Sequence, residues 1–230
     1  MFITKEETKT HKIYRIGKLK IGFRKNKSNN NIFVVDENGN KKRVRKIKGL
    51  KIKFKGANST ITIHKPMLKF KDCKAFCGDN VNIEIKSSIH SAKGIEIYAE
   101  QENSKVIIGE NFSCQNSCHF ILNKEPNKTI SIGDECMFGT NILLRTTDSH
   151  PIYDITTNEL INKGGDIFIG NNVWIAKNVT ILRNTKIADG CVIGTGSIVT
   201  KYCEKNNSIY VGNPAKLVKE NIRWDREFKK

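Results

Sequence analysis

His150 is the residue of this chain whose surroundings most suggest chemistry. Asp148 precedes it by two residues, and both stand near the start of residues 145–166, which interrupt an otherwise aliphatic region. Imidazole is the natural proton acceptor near neutral pH, and a nearby carboxylate can orient the ring or stabilise its charged form. We interpret His150 as a candidate general base and Asp148 as its candidate partner. A turn-forming aspartate is the alternative for Asp148.

The seven cysteines raise the question of a metal site. Cys73 and Cys77 are four residues apart, as are Cys114 and Cys118, and His119 follows the second pair. Structural zinc sites usually have more closely spaced pairs, whereas buried free thiols are common in protein cores. We therefore expect no metal.

The cysteines and the apolar segments also bear on location. Seven is an odd number, so these cysteines cannot all pair within the chain. Residues 1–30 contain no continuous apolar segment typical of a secretory signal. No apolar run reaches the roughly 18 residues that a membrane-spanning helix needs. We therefore expect a reduced, cytoplasmic protein.

Positive charge is concentrated at the front of the chain. The sequence has 40 Lys and Arg against 23 Asp and Glu, a formal net charge of +17. Residues 1–55 alone hold 18 of these basic residues and 4 of the acidic ones. Such a segment attracts an acidic polysaccharide, an anionic membrane surface or nucleic acid, unless it is simply a solvated face. Because it lacks a recognisable nucleic-acid-binding fold, we expect no nucleic acid partner and leave peripheral membrane association open.

A six-residue repeat dominates the second half of the chain. Six aliphatic residues recur at this spacing, several of them followed by Gly or Ala: Ile169, Ile175, Ile181, Ile187, Ile193 and Val199. This period is typical of a parallel β-helix, in which three hexapeptides complete a coil and each aliphatic residue points inward. The pattern extends backwards in three less regular groups: Ile132, Phe138 and Leu144; Ile108, Cys114 and Phe120; Ile83, Ile89 and Ile95.

The repeat divides the chain into three predicted parts. Residues 1–49 form a basic N-terminal extension of strands with a hairpin. Residues 50–211 form the β-helix, and residues 145–166 are ejected from it as a loop, where function tends to be carried. Residues 212–230 comprise a turn and an amphipathic helix over residues 216–228, which would cap the open end.

On these features the sequence resembles the hexapeptide-repeat acyltransferases, most closely the sugar and polysaccharide O-acetyltransferases that use acetyl-CoA. The resemblance covers about residues 108–218. Four motifs carry it in order: Ser149-His150-Pro151, Ile169-Gly170-Asn171-Asn172-Val173-Trp174-Ile175, Ile193-Gly194-Thr195-Gly196-Ser197-Ile198-Val199-Thr200-Lys201 and Gly212-Asn213-Pro214-Ala215-Lys216. It implies an all-β fold with a left-handed parallel β-helix, and a homotrimer with active sites between subunits.

The resemblance also implies a function and the residues that carry it. Acetyl would pass from acetyl-CoA to a hydroxyl of a carbohydrate, with His150 as general base and no metal. Six residues at matching positions would bind the cosubstrate: Trp174, Ala176, Thr195 and Thr200 along its groove, and Lys201 and Lys216 at its phosphates. For Trp174, contact with the acceptor or packing against a neighbouring subunit is the alternative. His119 lies at about the position of an acceptor-binding residue in some members. The basic segment favours a surface glycan as acceptor, whether capsular, sialic-acid-containing or lipopolysaccharide.

The sequence leaves two other functions open. An N-acetyltransferase acting on an amino-sugar nucleotide would use the same scaffold and the same cosubstrate. A non-enzymatic β-helix that binds a polyanion through its basic end would explain the fold and the charge. That second alternative leaves the coincidence of His150, Trp174 and Lys216 unexplained.

Overall fold

The computed structural model describes residues 3–7, 11–16, 19–24 and 28–228, which form strands, turns and irregular segments but no helix. The strands are β1 (Ile3–Glu7), β2 (His11–Ile16), β3 (Leu19–Arg24), β4 (Asn31–Val35), β5 (Lys41–Val44), β6 (Leu50–Phe54), β7 (Thr60–His64), β8 (Lys69–Lys71), β9 (Cys73–Cys77), β10 (Asn82–Ile85), β11 (Ser91–Lys93), β12 (Ile95–Ala99), β13 (Lys105–Ile108), β14 (Ser113–Leu122), β15 (Thr129–Ile132), β16 (Met137–Arg145), β17 (Ile167–Ile169), β18 (Trp174–Ile175), β19 (Thr180–Ile181), β20 (Thr185–Ile187), β21 (Val192–Ile193), β22 (Ile198–Val199), β23 (Ile209–Gly212) and β24 (Ala215–Lys219). The predicted all-β class is confirmed. The described ranges accordingly offer no helix able to cross a bilayer.

The strands from β4 onward coil into a parallel β-helix with three faces. The first face runs β5-β4-β7-β10-β13-β15-β17-β20, and β4 to β20 are all parallel. The second face contains β8, β11, β18, β21 and β23, and the third contains β6, β9, β12, β19 and β22. The long strands β14 and β16 belong to the second and the third face, because each pairs with strands of both of these faces. Strands β1, β2 and β3 form a separate antiparallel sheet.

The residues of the six-residue repeat form the core, as predicted. All six from Ile169 to Val199 are buried, and Cys114 and Phe120 take the same inward position in an earlier coil. Ile89 is an exception, with 63% of its surface exposed. The inward residue of its coil is Ala92, which is paired with Cys114, because this corner contains an additional residue.

Left-handed backbone conformations make the sharp turns between faces. Five residues with φ between 52° and 74° recur every six positions: Asn172, Asn178, Asn184, Gly190 and Gly196. Gly and Asn adopt this conformation at the lowest steric cost. Their spacing therefore sets the corners of the coil, just as the inward aliphatic residues set its faces.

An antiparallel hairpin begins the β-helix. Strands β4 and β5 pair with Ile32 opposite Val44 and Val35 opposite Lys41, which confirms the predicted hairpin. Strand β4 then lies parallel to β7, with Ile32 beside Ile61. The hairpin is thus continuous with the first face. The predicted division of the chain at residues 49 and 50 stays a prediction.

The predicted C-terminal helix is wrong. Strand β24 instead pairs antiparallel with β23, and residues 220–228 continue without regular structure. The edge of β23 offers unpaired backbone groups to β24, whereas a helix of this length is marginal on its own. The apolar residues that suggested a helix point in different directions, since Val218 is exposed and Trp224 is buried.

Candidate functional site

The candidate site residues lie along two edges of the three-sided prism. We call the corner between the second and third faces the small-residue edge, because it contains Gly139, Ala176 and Gly194. A Cβ atom added to Gly194 would lie 2.4 Å from Val211 Cγ1, so the coils approach closely there. The corner between the third and first faces is the loop edge, where residues 146–166 leave the prism between β16 and β17.

An ion pair and a side-chain amide hold the start of the loop. Arg183, one coil further along, donates from Nε to Asp148 Oδ2 at 2.9 Å, and its Nη2 lies 2.8 Å from the same oxygen in an ion pair. Asn162 Nδ2 donates to the same oxygen at 3.1 Å and to the His150 carbonyl at 2.9 Å. The Asn162 Oδ1 accepts the Ile152 N–H at 2.7 Å. Asn162 is 6% exposed, so these bonds fix the backbone around His150 with little competition from water.

Arg145 supports the same turn from the end of β16. Its Nε donates to the Thr147 carbonyl at 2.9 Å, and its Nη2 donates to Ser149 Oγ. Ser149 has a φ of 68°, in the left-handed region, which turns the chain sharply just before His150. A non-glycine residue in this conformation needs support from its surroundings, and the Arg145 bonds supply it.

The Asp148 carboxylate carries its charge at neutral pH. Burial alone would raise its pKa, but hydrogen bonds from Arg183 and Asn162, with the charges of Arg183 and Arg145, outweigh that effect. The pKa of Asp148 is therefore held below its ordinary value of 3.8. The ion pair with Arg183 consequently persists throughout the range in which a histidine titrates.

His150 presents an exposed imidazole at the start of the loop. Within the described chain the ring forms no hydrogen bond, and only its carbonyl is held, by Asn162. Asp148 lies two residues away but faces Arg183 rather than the ring. The carboxylate is therefore connected to His150 through Asn162 and the loop backbone, and both ring nitrogens remain available to a ligand.

Trp174 lies on β18 beside the small-residue edge, two residues before Ala176. Its ring contacts that of Trp224 from the C-terminal segment, with the centroids 6.0 Å apart. Trp224 is buried and donates from Nε1 to the Asn172 carbonyl at 2.8 Å. Trp174 is thus supported on one side and half-exposed on the other.

The other residues expected to bind the cosubstrate fall on two different edges. Ala176 and Thr195 follow strands of the second face, at the small-residue edge, and Lys216 on β24 lies beyond the same edge. Thr200 and Lys201 follow β22, at the loop edge, near the base of the loop. All except Ala176 are exposed. Within one chain the third face separates the two groups, so no single groove brings them together.

His119 lies on the third face, one coil before the strand that leads into the loop. Its Nε2 is 3.4 Å from Ser117 Oγ, and its Nδ1 is 3.9 Å from Glu96 Oε2. These contacts do not join it to His150. Its role as an acceptor-binding residue stays a prediction.

Sequence reasoning missed the residues that hold the loop. Arg145, Asn162 and Arg183 are ordinary polar positions by composition, and no motif marks them. Arg183 offers one weak signal, because it is a charged residue directly after Ile181 and Leu182, in the coil that follows the loop. Asn162 offers none, since its importance depends on the path of the loop.

The cysteines fill the core. All seven are buried free thiols, and burial raises the pKa of Cys77 to about 12. A thiol with so high a pKa stays protonated at neutral pH and is a poor metal ligand. In the described ranges, no three His, Cys, Asp or Glu residues are grouped so as to hold a metal ion.

Known proteins with similar sequences indicate the family of this chain. Residues 166–201 match the family model of the bacterial transferase hexapeptide (six repeats). The polysialic acid O-acetyltransferase of Neisseria meningitidis is 33% identical over 176 residues, which are 75% of this chain and 74% of that protein. The polysialic acid O-acetyltransferase of Escherichia coli O1:K1 is also 33% identical, over 64% of this chain. This chain spans only 44% of that relative's length.

Two crystal structures share the fold over most of the chain. The polySia specific acetyltransferase NeuO superposes with a TM-score of 0.63 at 28% identity, covering 88% of this chain and 81% of that one. The polysialic acid O-acetyltransferase OatWY superposes with a TM-score of 0.59 at 25% identity, covering 87% of this chain and 90% of that one. With the six-residue core and the ejected loop, these similarities show that the chain belongs to the hexapeptide-repeat acyltransferases, a family with a left-handed parallel β-helix.

Proposed function

We propose that this protein transfers acetyl from acetyl-CoA to a hydroxyl of an acidic surface glycan, with a sialic acid polymer as the favoured acceptor. The exposed imidazole of His150, on a backbone fixed by Asn162 and the Asp148–Arg183 pair, is the observation that carries the proposal. The activity of the named relatives and the net charge of +17 supply the choice of acceptor. An acidic polymer is the ligand that such a charge attracts.

In the proposed reaction, His150 removes the proton from the acceptor hydroxyl as its oxygen attacks the thioester carbonyl of acetyl-CoA. A tetrahedral intermediate forms and collapses, which breaks the carbon–sulfur bond. The CoA thiolate leaves and accepts from the imidazolium the proton that came from the acceptor hydroxyl. The acyl group is already activated in the thioester, so the chain needs to supply only a base and a binding groove.

Asp148, Arg183 and Asn162 act as positioning residues in this proposal. Their bonds end on the His150 carbonyl and on the loop backbone rather than on the ring. A loop held in this way keeps the imidazole near one geometry, and small displacements of a base are costly to the rate. Loss of any of the three should lower turnover more than it lowers stability.

The proposed active site combines residues of two subunits in a homotrimer. One chain places Ala176 and Thr195 on a different edge from Thr200 and Lys201, so a neighbouring copy is needed to form one groove from both edges. The loop also exposes five large apolar side chains: Ile152, Tyr153, Ile155, Leu160 and Ile161. Exposed apolar residues grouped in this way usually meet a partner surface. Sedimentation should give three times the chain mass of 26.1 kDa, and a stable monomer with full activity would contradict the trimer.

We also propose that the protein works in a reduced compartment, because its seven buried cysteines are free thiols.

Product analysis tests the proposed function. Purified protein is incubated with acetyl-CoA and polysialic acid, and the glycan is examined by mass spectrometry before and after mild alkali. We expect acetyl groups that are released by alkali, since esters hydrolyse under conditions in which amides persist. A folded protein that acetylates no sialic acid polymer contradicts the choice of acceptor, and an alkali-stable acetyl group contradicts transfer to oxygen.

A further inference from the structure

The charge of the chain changes sharply along the axis of the β-helix. Residues 28–74, which form the hairpin and the first coil, contain 13 Lys and Arg but only 3 Asp and Glu. Residues 75–230, which include the loop and the C-terminal coils, contain 18 of each. The coils around His150 are therefore close to neutral, whereas the far end of the prism is strongly basic.

Ten of these basic residues surround the N-terminal end of the prism on all three faces. We call them the basic collar: Lys41, Lys42 and Arg43 on β5, Arg45, Lys46 and Lys48 in the following loop, Lys51 and Lys53 on β6, and Lys69 and Lys71 on β8. All ten are exposed. Three charges project from the edge strand β5 and three more from the loop after it.

The collar differs from the neighbouring lysines in lacking acidic partners. Lys55 pairs with Glu100, and Lys74 Nζ lies 2.6 Å from Glu96 Oε1. By contrast, no collar residue forms an ion pair with any described part of the chain. Ten like charges held together without acidic partners repel one another, and an extended anion would relieve that repulsion.

The distance between the collar and the coil that carries the loop is one that a polymer can span. On the first face, β5 is five strands away from β15, the strand of the coil from which the loop leaves. At about 4.8 Å between neighbouring strands, the separation along the axis is roughly 24 Å. A polymer can span this distance, whereas a monosaccharide or a very short oligosaccharide cannot.

We propose that the basic collar is a second binding surface for the anionic acceptor polymer, which holds the chain while its other residues reach His150. This inference rests on the proposed function for the identity of the polymer. Holding a polymer at one surface raises its effective concentration at the other, so the collar should lower KM for long acceptors without changing the chemical step. The periodic carboxylates of a sialic acid polymer suit a surface of exposed lysines and arginines.

A matched pair of variants tests the collar. The collar variant combines Lys42→Gln, Lys46→Gln and Lys48→Gln, and the control variant combines Lys93→Gln, Lys186→Gln and Lys219→Gln. Each removes three exposed positive charges, so the net charge of the two proteins is the same. Steady-state kinetics are measured with a sialic acid trimer and with long-chain polysialic acid, at low and at high salt.

We expect KM for the long polymer to rise roughly tenfold in the collar variant at low salt, and to rise little in the control. KM for the trimer, KM for acetyl-CoA and kcat should stay unchanged in both, and high salt should abolish the difference. Equal effects of the two variants, or equal effects on trimer and polymer, would overturn the inference. So would a collar variant that loses binding to anionic vesicles or nucleic acid while its KM for polymer stays unchanged. If wild type acetylates neither acceptor, the proposed function fails instead.

Discussion

The coils of residues 167–199 and the loop of residues 146–166 hold their shape by opposite means. Each coil repeats one buried aliphatic residue per face, and the column of such residues stabilises all of the coils together. The loop exposes most of its apolar side chains and is held by polar contacts, chiefly the Asp148–Arg183 pair, the buried amide of Asn162 and the bonds from Arg145. Substitutions in the coils should therefore lower stability, whereas substitutions at the loop contacts should lower activity.

A charge placed in the core of the coils should cause a greater loss of stability than any other substitution considered. Ile181→Asp places a carboxylate at a fully buried position with no partner, and the protein should lose about 4 kcal/mol or more of unfolding free energy. Thermal or denaturant unfolding measures it. Lys186→Asp, on an exposed position of the following strand, is the control and should change stability little. Tolerance of aspartate at residue 181 would contradict the inward direction of the repeat.

A substitution at the loop contacts should lower the turnover rate. Asp148→Asn weakens the bonds from Arg183 and should lower kcat roughly tenfold while stability changes by less than about 1 kcal/mol. Asp225→Asn removes a carboxylate from the exposed Arg223–Asp225 pair and serves as the matched control, with no change in kcat. If Asp148→Asn lowers stability as much as a core substitution and leaves kcat intact, the contrast between coils and loop is wrong.

A smaller effect concerns the corners. Asn178 has a φ of 58°, so Asn178→Ala should cost about 1 kcal/mol of stability, because alanine adopts the left-handed conformation poorly. Asn178→Gly keeps access to that conformation and should cost less, although it loses the 3.0 Å hydrogen bond from Asn141 Nδ2. Chemical denaturation of both variants checks the order. If Asn178→Ala is more stable than Asn178→Gly, the left-handed conformation does not account for the cost of substitution at the corners.

The smallest effect is a pH dependence. The pKa of Asp148 is lowered, so its contribution to stability is present above pH 3.8 and is lost as the pH falls through the folded-state pKa. Unfolding free energies of wild type and Asp148→Asn should differ slightly at pH 7 and converge only below pH 3.8. Convergence already at pH 5 would mean that the ion pair with Arg183 does not lower the pKa as inferred.

The same contrast explains what could be predicted from the sequence. The core of the coils is periodic, so the spacing of Ile169, Ile175 and their successors suffices to predict inward residues. Spacing alone fails where a corner is irregular. Ile89 is exposed because an additional residue at its corner shifts the register. The C-terminal strand was missed because its partner β23 is supplied by the fold and not by the local pattern of residues.

The candidate site was also predictable only in part. His150 could be found because its neighbours match a family motif, although its surroundings could not. Asp148 contacts Asn162 and Arg183, which are 14 and 35 residues away, and such contacts depend on the path of the loop. No spacing rule connects these positions, so the loop contacts required a structure.

The role of His150 as general base is tested most directly by comparing wild type with His150→Ala in two measurements. Thiol release from acetyl-CoA in the presence of polysialic acid reports turnover, and calorimetry reports acetyl-CoA binding. Loss of the general base should lower kcat by a factor of about 10² to 10⁴, with the Kd for acetyl-CoA unchanged. A folded His150→Ala variant that retains wild-type turnover would contradict the role of His150. A variant that loses acetyl-CoA binding would show that His150 holds the cosubstrate rather than removing the acceptor proton.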